Sequence, residues 1–183
     1  MGRRHAGRLI VVGVGLAAVA LLAVLALAMR EGVGASPVGR TAAGFAQASS
    51  FVLPTLDGDA TFDLDDHAGG PLFVYFWASW CAPCREEAPI IERLWPEYRA
   101  LGYTFVGVNI LDAERDARAF VAEYRLTFPV VRDVEGAVYL DYGVYGLPEG
   151  FFLRPGLLVS EKFNGALGER EFRAMLAHLQ EAS

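Results

Sequence analysis

No charged or strongly polar side chain interrupts residues 9–29, LIVVGVGLAAVALLAVLALAM. As a helix rising about 1.5 Å per residue, this run would be roughly 31 Å long, enough for a bilayer core of about 30 Å. Arg3, Arg4 and Arg8 precede it, and such flanking positive charge stays cytoplasmic, which directs the residues after Met29 outward. Residues 1–30 are therefore expected to form a single-pass signal anchor with its N-terminus inside. A cleaved signal peptide is the competing reading, with Ala26-Leu27-Ala28 as a small-residue site. The apolar run, however, is longer than the usual signal core of about 7–15 residues. Residues 31–48 are rich in Gly, Ala and Ser without periodicity, as expected of a flexible tether.

From residue 49 the pattern breaks into short alternating elements, expected to make one domain reaching residue 183. Phe51-Val52-Leu53 and Thr61-Phe62-Asp63-Leu64 flank Asp57-Gly58, a β-hairpin signal. Leu72-Phe73-Val74-Tyr75-Phe76-Trp77 is apolar and aromatic throughout, which suits a central strand buried on both faces. Ala88, Ile91, Leu94, Trp95, Tyr98 and Leu101 recur at helical spacing, predicting a helix over about 84–100 that Pro89 and Pro96 should kink or end. A strand over 103–110 follows. Asp112 is a candidate cap for a helix running to about Tyr124, with Phe120, Val121 and Tyr124 inward. A short strand over 128–132, a turn of helix over 135–142, a hairpin across Arg154-Pro155-Gly156 and a helix over about 168–182 complete the pattern. That order predicts an α/β fold, a central mixed β-sheet flanked by helices, with its first strands parallel.

Charge sharpens this division. Four of the 16 basic residues precede residue 31, where no acid occurs, so the remainder carries a formal charge of −10. A surface of that sign disfavours nucleic acid, whose phosphates need clustered Lys and Arg, and is read as a solvated acidic surface.

The chemistry centres on two cysteines, Cys81 and Cys84, which end the buried strand and open the helix. At a helix N-terminus, unpaired N–H groups and the helix dipole favour the thiolate and lower its pKa from about 8.5 toward about 7. Cys81 would attack a substrate disulfide, and Cys84, one turn deeper, would attack the resulting mixed disulfide. Pro83 stiffens the turn between them. Zinc wants four ligands, and none of His5, His67 and His178 has ligand spacing to the pair, so no metal or other cofactor is expected. A purely structural bridge closing so short a loop would stabilise little.

These residues carry a resemblance. Trp80-Cys81-Ala82-Pro83-Cys84, with Pro89 five residues on, resembles thioredoxins. FWASWCAPCREEAP, VGVNILDAERDARAFVAEY, FPVVRD and GVYGLPE are similar to the membrane-anchored TlpA/ResA/CcmG (DsbE) branch of thiol–disulfide oxidoreductases. The resemblance runs from about Phe51 to the C-terminus and implies a thioredoxin-like fold. It implies that Pro148 is a cis-proline beside the cysteines, with the Leu147 backbone placed to pair with an extended substrate. It implies that Glu87, three residues after Cys84, takes or gives the Cys84 proton, whereas Glu86 suits a solvated first turn. Trp80 would shield Cys81 and touch substrate. Thioredoxins keep a buried acid six residues before the first cysteine; Tyr75 stands there, which moves that duty to Glu87. Two departures concern the partner: Gly150 stands where haem-pathway members commonly have Thr, and Arg154-Pro155-Gly156 replaces an acidic turn.

The expected activity is extracytoplasmic disulfide reduction on a protein substrate, with an apocytochrome c in cytochrome c biogenesis as the implied target and a transmembrane protein as electron donor. The alternatives are a reductase or oxidase for other envelope proteins, and a copper-binding module on the same fold, against which the two-residue cysteine spacing counts.

Overall fold

The computed structural model of the chain describes residues 46–180 together with Ala20, Ala23, Gly39 and Arg40. The expected anchor over 1–30, most of the tether and the last residues of the final helix lie outside the described residues. Among the described residues no helix is long and apolar enough to cross a membrane.

The strands are β1 (Gly39–Arg40), β2 (Ala46–Gln47), β3 (Val52–Pro54), β4 (Thr61–Asp63), β5 (Leu72–Trp77), β6 (Thr104–Ile110), β7 (Val130–Asp133), β8 (Glu149–Arg154) and β9 (Leu158–Asn164). The helices with described bounds are α1 (Ala82–Ala100), α2 (Glu114–Tyr124), α3 (Ala137–Asp141) and α4 (Glu169–Gln180). Seven strands form one sheet in the order β1-β2-β9-β8-β5-β6-β7, and β3 and β4 pair separately as the expected hairpin. β5, β6 and β7 run parallel, while β8 joins β5, and β9 joins β8, antiparallel, giving the mixed sheet.

β5 is buried along its whole length because both its faces are covered. Phe73, Tyr75 and Trp77 point into a core shared with α1, α2 and α4 (Ile91, Leu94, Phe120, Phe172, Leu176). Leu72, Val74 and Phe76 point into a second core closed by the hairpin and α3 (Phe51, Phe62, Leu64, Val138, Tyr142). The period of two in a strand thus divides one continuous apolar run between two layers.

Four expectations need correction. Pro89 and Pro96 do not end the helix: α1 continues through both. Both prolines are on its exposed side, so solvent can satisfy the carbonyls that lose their N–H partners. Asp112 does not cap α2, whose N-cap is Ala113 without a side-chain bond. The tether's end is not wholly irregular either, because β2 pairs with β9 through Gln47 and Leu158 and so brings its last residues into the sheet. Leu101, read as inward, is the exposed C-cap of α1.

Candidate active site

Cys81 and Cys84 are joined as a disulfide, with their Cα atoms 5.2 Å apart. The two positions differ as the strand-to-helix junction requires. Cys81 is the N-cap of α1, in extended conformation, and its sulfur accepts the Cys84 backbone N–H at 3.2 Å. Pro83 lies in the first turn, where its missing N–H costs no intrahelical bond. When the pair is reduced, the same amide and the helix dipole favour the Cys81 thiolate. Cys84 is fully enclosed, whereas Cys81 keeps 3 % exposure, so only Cys81 offers a face to an incoming disulfide. That face is much narrower than an exposed attacking cysteine would suggest. Exposed Trp80, Ala82 and Pro83 surround it.

The approach to Cys81 is held in place by Asp112, which bonds Ser79 and leaves the following helix uncapped. Asp112, two residues after β6, accepts the Ser79 backbone N–H at 2.6 Å and the Ser79 hydroxyl at 2.7 Å, and also the Asn109 amide at 2.9 Å. Beside it, Trp80 donates its indole N–H to the Leu111 carbonyl at 2.9 Å. Arg85, from the first turns of α1, donates to the Ser79 carbonyl at 3.1 Å and pairs with Glu123. The loop carrying Cys81 is thereby tied to β6, α1 and α2. An acid just before a helix reads as a cap in sequence; its true partner, 33 residues earlier, carries no local signal.

On the other side, Glu149 pairs with Phe76 in the β5–β8 register, which sets the preceding Leu147 and Pro148 at the carboxyl end of β5, where the cysteine loop begins. The Leu147–Pro148 peptide bond is cis. Pro148 is buried and Leu147 half-buried against the core that contains both cysteines. Glu149 is fully buried, paired with Lys162 and accepting the Tyr145 N–H at 3.3 Å. Gly150 leaves no room for a side chain, since a Cβ there would lie 2.7 Å from the Phe73 ring.

Glu87 is 2 % exposed, one helical turn beyond Cys84 on the same face. Its Oε1 accepts the Leu167 N–H at 3.0 Å. Burial raises its pKa from 4.5 to about 7, against the opposing pull of the Leu167 amide and of Tyr75. Its neighbour Glu86 is exposed. A carboxyl group titrating near neutrality beside the inner thiol is chemically fit to exchange a proton with it. The structure therefore brings Trp80, Cys81, Cys84, Glu87, Leu147 and Pro148 to one end of β5. Among the described residues no cluster of three or more His, Cys, Asp or Glu is suited to hold a metal ion.

The AhpC/TSA family model matches residues 46–163, which span the cysteine pair, β8 and β9. This chain belongs to the AhpC/TSA family. The chain is similar to the thiol:disulfide interchange protein DsbE of Pseudomonas fluorescens biotype C, 35% identical over 129 residues, covering 70% of each. It is also similar to the thiol-disulfide oxidoreductase ResA of Geobacillus thermodenitrificans (strain NG80-2), 31% identical over 133 residues, covering 73% of this chain and 76% of that one. Among solved structures, a putative DsbE from Chlorobium tepidum superposes with a TM-score of 0.69 at 29% identity, covering 74% of this chain and 96% of the other. The fold is thioredoxin-like, and this AhpC/TSA member is a thiol–disulfide oxidoreductase of the DsbE/ResA type whose reacting groups are the paired cysteines.

Proposed function

We propose that this oxidoreductase is a membrane-anchored, extracytoplasmic dithiol reductase that keeps the haem-attachment cysteines of an apocytochrome c reduced. The observation that carries the reading is the inequality of the two cysteines: one N-capping and reachable, the other enclosed beside a carboxyl group that titrates near 7. A bridge kept only for stability needs neither feature. In the reductive direction, the Cys81 thiolate attacks one sulfur of the substrate disulfide, and the other leaves as a thiolate. Cys84 then gives its proton to Glu87, and its thiolate attacks the Cys81 sulfur, expelling the second substrate thiolate. Two electrons have passed to the substrate, and the chain is left as the disulfide described above. Trp80 and the backbone at Leu147 border the approach and would contact the substrate chain.

The apolar run over 9–29 and its flanking arginines support the address, and the resemblance of the cysteine and cis-proline motifs to the TlpA/ResA/CcmG branch supports the haem pathway. Because that compartment is oxidising, a transmembrane donor has to re-reduce the pair. Deleting the gene should lower covalent haem in c-type cytochromes, with recovery on return of the wild-type gene but not of Cys81→Ser. Undiminished haem would overturn the cytochrome assignment in favour of other envelope substrates, where the measured reduction potential separates reductant from oxidant.

A further inference from the structure

Tyr75 occupies the middle of β5 with 1 % exposure, on the face covered by α1 and α4. Among the described residues its hydroxyl has no hydrogen-bond partner, and neither has Oε2 of Glu87, although Oε1 is held by the Leu167 amide. The two groups are near enough for each to influence the other's protonation, but not at hydrogen-bonding geometry. Leaving two buried polar atoms unpaired is unfavourable, and phenylalanine would pack this position without that penalty, as Phe73 and Phe105 do in the same core.

We infer that Tyr75 is a positioning residue for proton transfer at Cys84, its hydroxyl facing the free oxygen of Glu87 and stabilising the carboxylate inside an apolar core. The inference rests on the proposed role of Glu87 and adds to it the means by which a buried carboxylate stays able to accept a proton. During resolution the Cys84 S–H bond breaks and a Glu87 O–H bond forms, while the electron pair left on sulfur attacks Cys81. Tyr75 keeps its own proton throughout, because burial beside Glu87 pushes the phenol well above its ordinary range. The groups that face Glu87 are Tyr75 from β5, the Leu167 amide from the segment before α4, and Cys84 from its own helix; no charged side chain contributes to its shift.

The test uses the full chain carrying Tyr75→Phe, which removes one oxygen and keeps the ring. Single-turnover reduction of a synthetic peptide with one internal disulfide is followed across neutral pH, alongside Glu87→Gln and the double variant. Tyr75→Phe should move the acidic limb of the profile upward by about one pH unit, an about tenfold slower reaction below it. Carbon-13 NMR of the Glu87 carboxyl in the oxidised protein should show the same upward displacement. The double variant should match Glu87→Gln alone. A Tyr75→Phe profile that superimposes on wild type, while Glu87→Gln loses the limb, would overturn the inference and leave Glu87 in place. A Glu87→Gln profile identical to wild type would overturn both.

Discussion

Replacing Glu87 with Gln should make the oxidised protein more stable above neutral pH while slowing its turnover. The carboxyl group has a pKa of about 7 in the fold against an ordinary 4.5, with burial as the main cause. Between those values the folded chain holds a proton that the unfolded chain has released, so folding stability falls as pH rises through that window. At about 1.4 kcal/mol per pH unit, the accumulated penalty above pH 7 is about 3 kcal/mol. Gln keeps an acceptor for the Leu167 N–H but introduces a buried amide N–H₂ beside Tyr75, at a cost of about 1–2 kcal/mol. The net expectation is a gain of about 1–2 kcal/mol at pH 8, and no gain near pH 4, where wild-type Glu87 is also neutral. Denaturant unfolding of the oxidised protein at several pH values measures this directly. Wild type should lose stability from about pH 4.5 to about 7, and the variant should lack that loss. Parallel pH dependences in the two proteins would refute the argument that Glu87 is buried as a near-neutral acid.

Two further substitutions probe the supports of the site. Lys162→Met removes the cation paired with fully buried Glu149 and should cost about 3–5 kcal/mol by denaturant unfolding, since an uncompensated buried charge remains. Asp112→Ala deletes the acceptor of two Ser79 bonds and should cost about 1–3 kcal/mol. Because those bonds fix the loop entering Cys81, peptide-disulfide reduction by this variant should slow as well, even under conditions where it is fully folded.

The parts of this protein legible in its sequence are those written in local periodicity. An unbroken apolar strand, a cysteine pair at its end and a helix with inward residues at regular spacing specify both the fold and its reacting sulfurs. The hairpin over Asp57-Gly58 was legible for the same reason, since Gly58 adopts the positive φ of 76° that such a turn requires. What escaped was non-local. Asp112 has the sequence context of a helix cap but binds Ser79 across the β5–β6 pair. Pro89 and Pro96 are breakers by intrinsic preference, yet the exposed side of α1 lets solvent replace what they remove. Tyr75 was legible only as a missing acid; that it lies near enough to Glu87 to influence its protonation depends on how α1 lies on the sheet.

The central claim is that Cys81 attacks and Cys84 resolves, and trapping tests it most directly. Cys84→Ser, expressed in the source cells and isolated after acid quenching of thiols, should carry its protein substrate as a mixed disulfide on Cys81, releasable by reductant. Cys81→Ser should carry almost none. A mixed disulfide that accumulates on Cys84 in the Cys81→Ser variant, with none on Cys81 in Cys84→Ser, would contradict the account.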